Sequence, residues 1–192
     1  LPDRYEDRGL LGAGGMGEVR RVWDRVLCRE VAMKLVRPEV ALAAGGAARF
    51  VEEARATAAL AHPGIVSVYD HGFAPDGRPW FTMQIVRGDT LQDLIGRAHA
   101  DSGDLRLAFR RLVDVVQRAC DAVGYAHARG VVHLDLKPAN LLVGEHGEVR
   151  VVDWGLFRGA QVVEAHAAGV APGSAGQTRV SGTPAYMAPE QA

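Results

Sequence analysis

Near Asp89 the apolar period of the chain changes from about two residues to about 3.6, and this switch limits what the chain can fold into. Before it, short alternating runs recur at Glu18–Trp23, Val31–Leu35, Ile65–Tyr69 and Trp80–Val86, the pattern of strands in a small, largely antiparallel sheet. Between the second and third runs, Phe50, Val51, Ala54, Ala58 and Ala61 fall at helical spacing and the stretch closes on His62-Pro63-Gly64, so one helix over Ala47 to Ala61 is expected against that sheet. The Ala/Gly run ahead of it, 41–48, reads as a loop or a frayed helix start. After the switch, Leu105, Phe109, Leu112, Val113, Val116, Ala119, Cys120, Val123 and Ala126 make the apolar stripe of one long helix reaching toward Gly130. Two short apolar pieces, Leu141–Val143 and Val149–Val152, flank a turn at Gly144 to Gly147, and the Gly/Ala/Ser-rich stretch from Gly155 to Thr183 reads as a mobile loop.

Composition narrows the function. The chain has 192 residues, a net charge of −1, 48% apolar and 23% charged residues, which is ordinary globular usage and argues against disorder. No Lys/Arg block is long enough to track a nucleic-acid backbone, so no nucleic-acid partner is expected. No apolar run approaches the ~18 residues of a membrane span, and Leu1-Pro2 opens no signal peptide, while the missing initiator Met suggests a fragment. Its two cysteines, Cys28 and Cys120, lie far apart without metal-ligand spacing, as in a protein of a reducing compartment.

Gly12-Ala13-Gly14-Gly15-Met16-Gly17 has the spacing G-x-G-x-x-G, in which residues lacking a Cβ let backbone N–H groups approach phosphate oxygens. Alone it is equally a ligand-free glycine hairpin. A dinucleotide-binding fold needs a helix directly after the third glycine, whereas Glu18 to Trp23 alternates as a strand, and no Lys-Ser/Thr follows as a Walker loop requires; the loop is expected to bridge two strands. Lys34 ends the apolar run Val31-Ala32-Met33, where a lone ammonium would be costly, and Glu53 on the following helix is the expected partner. Glu52 points elsewhere, because one helical step turns about 100°. The most specific cluster is His133-Leu134-Asp135-Leu136-Lys137-Pro138-Ala139-Asn140, followed by Asp153-Trp154-Gly155. There Asp135 can accept a hydroxyl proton, Lys137 can neutralise a phosphoryl group, and Asn140 with Asp153 offers the oxygen ligands that Mg²⁺ prefers.

In this order and at this spacing the chain resembles the eukaryotic-like (Hanks-type) serine/threonine protein kinases of bacteria, from about Tyr5 to the last residue. The resemblance is carried by the glycine loop with Val19, by V-A-M-K at 31–34, Glu53, H-L-D-L-K-P-A-N at 133–140, D-W-G at 153–155 and G-T-P-A-Y-M-A-P-E at 182–190. It implies an α+β, protein kinase-like bilobal fold: a small antiparallel sheet of five strands with one main helix, residues 1–86, over a partial, mainly helical lower lobe, residues 87–192. It also implies that Gly12, Gly14, Gly15, Met16 and Gly17 cover the phosphates of ATP, that Lys34, paired with Glu53, binds the α/β-phosphates, and that Asp135 is the catalytic base. Lys137 would then meet the γ-phosphate, and Asn140 and Asp153 would hold Mg²⁺. Leu11, Val19, Ala32 and Leu142 would sandwich the adenine, Met83 would be the gatekeeper, and the backbone of Gln84 and Val86 would bond the adenine edge. His133 would brace the catalytic loop, running over 131–140, and Thr183 would steady Asp135 and Lys137, whereas Ser174, Thr178 and Ser181 lie in the activation segment, 153–190, with Thr178 and Ser181 as candidate phosphosites. His62, His71, His99, His127, His146 and His166 lack paired ligands and read as solvated or structural.

Three departures stand out: Leu134 where an Arg usually precedes the catalytic Asp, Trp154 where a Phe is usual, and an end at Ala192 just past Glu190. The last predicts an incomplete lower lobe, weakly active at best, with apolar surface uncovered on the long helix and around Tyr186 and Met187. The expected activity is transfer of the ATP γ-phosphoryl group to Ser or Thr hydroxyls of protein substrates in the cytoplasm, with a second kinase domain as an admissible dimerisation partner and any membrane anchor outside this segment. A pseudokinase scaffold is the first rival and a small-molecule kinase the second; Lys34, Glu53, Asp135, Asn140 and Asp153 argue against the one, Lys137 and the A-P-E segment against the other.

Overall fold

A computed structural model describes residues 1–15, 17–100, 104–154 and 182–189. Met16, Ser174, Thr178, Ser181, His166, Glu190 and the stretch expected to be a mobile loop up to 181 lie outside the described residues. The chain forms two compact units, Leu1–Ala61 with Val66–Ile85, and His62–Ile65 with Val86–Ala192.

The first unit is built on β1 (Tyr5–Ala13), β2 (Gly17–Asp24), β3 (Arg29–Val36), α1 (Pro38–Leu42), α2 (Gly46–Ala58), β4 (Val68–Phe73) and β5 (Pro79–Met83). Its strands make a five-stranded sheet in the order β1-β2-β3-β5-β4, antiparallel at each pairing. The central strand β3 is buried from Val31 to Val36 because both of its faces are covered. Val31, Met33 and Leu35 pack with Val22, Trp80 and Tyr5 on one side, while Val36 on the other joins Phe81 and meets Phe50 and Ala54 of α2. Lys34 belongs to this second, helix-covered row, opposite Val19 on β2 and Phe81 on β5.

The Ala/Gly run divides. Pro38–Leu42 forms a helical turn with Pro38 at its start and Glu39 in the first turn, and Gly45, at φ 73°, caps the start of α2. The strand expected from Ile65 starts only at Val68, because Ile65 belongs to the second unit and bridges Val151 there. The strand from Trp80 ends at Met83, where the Gln84 N–H turns to the Ser67 carbonyl at 2.9 Å. At the start of the chain, Arg4 donates to both carboxylate oxygens of buried Asp24 at 2.9 and 2.7 Å and to Asp70 at 3.1 Å. The bond from Arg4, more than the N–H groups of Leu27 and Val26, holds the Asp24 carboxyl down at about 2. What that clip adds to stability is present above the usual carboxylate range and fades as the pH falls toward 2.

The second unit contains β6 (Gly88–Thr90), α3 (Leu91–Ala100), α4 (Leu105–His127), β7 (Leu141–Gly144) and β8 (Val149–Val151). Its strands form a sheet in the order β6-β7-β8. Asp104 caps α4, its side chain accepting from the N–H groups of Arg106 and Leu107. The expected stripe is not the buried face: of its members only Ala119 and Ala126 are buried, joined by Val115 and Ala122 from outside it, whereas Leu105, Phe109, Val113, Val116 and Cys120 are exposed. Three of the four buried positions are alanines, and Ala122 lies close beside Gly64. In a protein of residues 1–192, Phe109→Ser and Val113→Ser are each expected to shift stability by no more than ~0.5 kcal/mol while lowering binding of an apolar fluorescent dye. A loss of several kcal/mol by thermal melting would show that this face is packed. Among the described residues, no helix is long and apolar enough to cross a membrane.

Candidate active site

In the first unit the glycine turn joins β1 to β2, closed by the Gly14 N–H on the Gly17 carbonyl at 2.9 Å. Gly17 is dictated by packing, since a Cβ there would lie 2.5 Å from the Leu35 carbonyl oxygen on β3. Beside Gly12, Gly14 and Gly15 a Cβ would meet nothing within 4 Å, so none of the described residues requires their lack of a side chain. Lys34 is 7% exposed, and its Nζ donates to Oε1 of Glu53, itself 2% exposed, at 2.6 Å. Glu52, one step along α2, is exposed. Strand register aligns Lys34 with Val19 and Ala32 with Met83; Ala32 is buried, Val19 and Met83 half-buried and Leu11 exposed. The Gln84 N–H is engaged by Ser67, which leaves its carbonyl as the edge a base could read. Val86 and Leu142 belong to the second unit, where Leu142 lies between Thr90 and Arg150 in the sheet.

The second unit gathers the polar cluster of the loop 131–140. Asp135 Oδ1 accepts from the Thr183 N–H and from Thr183 Oγ1, both at 2.8 Å, and its Oδ2 accepts from Lys137 Nζ at 2.7 Å. Lys137 Nζ also donates to Thr183 Oγ1 at 2.7 Å, so the hydroxyl of Thr183 donates a hydrogen bond to Asp135 and accepts one from the ammonium. Burial alone would push the Asp135 carboxyl up, but the bonds from Lys137 and Thr183 outweigh it and hold the group below the ordinary carboxylate range. Asn140 is 6% exposed at the end of the 3₁₀ turn Pro138–Asn140, and its Nδ2 donates to the Asp135 carbonyl at 2.8 Å.

His133 ties this loop to the segment that carries Asp153. Its Nδ1 accepts from the Asp135 N–H at 3.3 Å, so the ring proton sits on Nε2, which donates to the Val152 carbonyl at 2.9 Å. Burial pushes the His133 pKa down, which keeps the ring neutral and this tautomer in place. The ring lies 4.7 Å from that of buried Trp154. Leu134 and Asp153, at φ 62° and 65°, are both left-handed without being glycine, a strain that persists only where surrounding bonds fix the backbone. Residue order shows Trp154 only as a departure from the usual Phe; its indole N–H reaches the Val151 carbonyl at 3.3 Å, a bond that no pattern in the sequence signals.

The donor set fits a hard divalent ion. With Nδ2 of Asn140 committed to the Asp135 carbonyl, Oδ1 is the atom left to serve as a ligand, and Asp153 adds a carboxylate. Two protein residues supply less than the six oxygens of a Mg²⁺ shell, which suits an ion completed by phosphate oxygens and water. Among the described residues, no group of three or more His, Cys, Asp and Glu could hold a metal on its own. Among the described residues the other histidines form no metal-ligating group: His71, His99, His127 and His146 are exposed, and the His62 ring lies 4.9 Å from that of Tyr125 while its Nδ1 accepts from the Gly64 N–H.

Residues 5–192 match the family described as protein kinase domain. Serine/threonine-protein kinase PknB of Mycolicibacterium smegmatis is 40% identical over 100% of this chain and 29% of its own length. PknB of Mycobacterium tuberculosis is 39% identical over 100% of this chain and 29% of its own. Serine/threonine-protein kinase PknA of Mycobacterium tuberculosis is 35% identical over 100% of the chain and 42% of its own. The chain thus spans less than half the length of these relatives. With an antiparallel five-stranded sheet, a helical second unit and a match across nearly every residue, the chain belongs to the protein kinase domain family.

Proposed function

We propose that this domain transfers the γ-phosphoryl group of ATP to Ser or Thr hydroxyls of protein substrates in bacterial signalling, in the cytoplasm where ATP is supplied. The observation that carries this reading is the cluster in which Asp135 is bound by Lys137 and twice by Thr183. Residues 1–86 act as the nucleotide lobe and 87–192 as part of the substrate lobe. Glu53 fixes the Lys34 ammonium for the α/β-phosphates, the glycine loop covers them, and Leu11, Val19, Ala32, Met83, Gln84, Val86 and Leu142 receive the adenine. Asn140 and Asp153 would hold Mg²⁺, which when bound neutralises phosphate charge.

A substrate hydroxyl beside Asp135 meets a carboxylate held below its usual range, and therefore a weak base. It orients the hydroxyl first and takes the proton once bonding to phosphorus has made the alcohol acidic. Lys137, within 2.7 Å of that carboxylate, offsets charge on the phosphoryl oxygens as transfer proceeds. The full-length protein should therefore label a Ser- or Thr-containing peptide from γ-labelled ATP in a Mg²⁺-dependent way. Binding of nucleotide without transfer would favour a scaffold, and labelling of small alcohols in preference to peptides a small-molecule kinase.

Leu134 has no donor to hold a phosphate on the activation segment, where an Arg would make charge-assisted bonds. Activity should then depend little on phosphorylation of that segment. The Thr178→Ala, Ser181→Ala double variant and phosphatase-treated protein are expected to stay within about threefold of the untreated protein in peptide turnover. A loss of a hundredfold, about 2.7 kcal/mol of transition-state stabilisation, would show that loop phosphate is required.

A further inference from the structure

Trp154 is 1% exposed, and a buried indole N–H needs an acceptor. Strand register provides one. Val152 donates its N–H to the Asn140 carbonyl, and Gly144 donates to Glu148, which makes these the hydrogen-bonded positions of the β7–β8 ladder. Val151, opposite Leu141, is then a non-bonded position whose N–H and C=O point away from β7. Its N–H goes to the Gly64 carbonyl at 2.8 Å, and its C=O receives the Trp154 indole at 3.3 Å. The next carbonyl, that of Val152, receives His133 Nε2 at 2.9 Å. Both carbonyls ahead of Asp153 are therefore clamped by side-chain donors, and the indole bond closes a ring around Asp153 itself, whose φ is 65°.

We infer that Trp154 is a positioning residue for the metal ligand Asp153, acting through its indole N–H and not only through its ring. The inference rests on the reading of Asp153 as a metal ligand. A phenylalanine, usual at this place in the family, could keep the contact with His133 but could not close the ring. The left-handed backbone of Asp153 would then be held by one bond fewer, and its carboxylate would be presented to the ion in a smaller fraction of molecules.

The test is Trp154→Phe in the full-length protein. The Mg²⁺ concentration for half-maximal transfer is expected to rise about tenfold, ~1.4 kcal/mol, while kcat at saturating Mg²⁺ falls less than about threefold. Mn²⁺ bound together with a non-hydrolysable ATP analogue, counted by electron paramagnetic resonance, should weaken by the same factor. In the unsubstituted protein, the indole signal that disappears in the variant should exchange its proton more slowly than that of half-buried Trp23. The inference is overturned if both metal dependences are unchanged, if kcat and metal affinity fall in parallel, or if that indole exchanges as freely as Trp23. Should the unsubstituted protein bind Mn²⁺ and nucleotide without transferring phosphate, the kinase reading fails, and weakened Mn²⁺ binding in the variant still upholds the tether.

Discussion

Lys34→Ala is expected to lower phosphoryl transfer by at least about 10²-fold, the scale of losing one preorganised donor at developing charge, and also to destabilise the fold. The second effect follows from burial: Lys34 and Glu53 have side chains 9% and 2% exposed, so removing the ammonium strands a carboxylate between the sheet and α2. Breaking one side of a buried pair costs about 3–5 kcal/mol, and a chain of this size loses roughly 2–4 °C of Tm per kcal/mol. A drop of about 6 °C or more should accompany the lost activity. The two effects separate in the double variant Lys34→Met, Glu53→Leu, because apolar replacement of a whole buried pair is often neutral for stability. Thermal melting of that variant should recover toward the unsubstituted protein while peptide turnover stays low. Recovered turnover would mean that Lys34 serves the fold and not the nucleotide.

That pair was legible in the sequence because an ammonium in an apolar strand demands an anion, and helical spacing chose Glu53 over Glu52. Strand β3 was legible for a related reason, since its run is apolar at nearly every position. Its coverage on both faces was legible in the same near-continuous run, though not which elements supply the cover. The edge strand β1 left a fainter signal: it is exposed from Asp7 to Ala13, and its pairing with β2 shifts register on either side of Leu10. On α4 the stripe marked the helix but misplaced its buried face, which runs through Val115, Ala119, Ala122 and Ala126 and includes only two members of the stripe. Within the site, the residue types of the loop 131–140 raised the expectation of a shared chemistry, and the structure brings Asp135, Lys137 and Thr183 into mutual contact. The tautomer of His133 and the bond from Trp154 depend on ladder register and on which carbonyls point outward, and neither is written in residue order.

Asp135→Asn should cost the most in the second unit, a fall in kcat of about 10²–10⁴-fold, the usual contribution of a positioned proton acceptor, with little change in the KM for ATP. The carboxamide still accepts from Thr183 but loses the charge that draws Lys137 to within 2.7 Å. Thr183→Val tests the same site more finely, because it removes the hydroxyl bond and leaves the backbone N–H in place. In the native site burial works to raise the Asp135 carboxyl while Lys137 and Thr183 lower it further, so the group stays ionised below the usual carboxylate range. Its contribution to stability is therefore present above that range and lost only as the pH falls through the depressed value. Deleting one lowering bond moves that value upward, and the acid limb of kcat/KM must move with it to higher pH. An acid limb that stays in place in Thr183→Val, with kcat reduced at every pH alike, would mean that Thr183 shapes the loop without acting on Asp135, and that the limb belongs to another group.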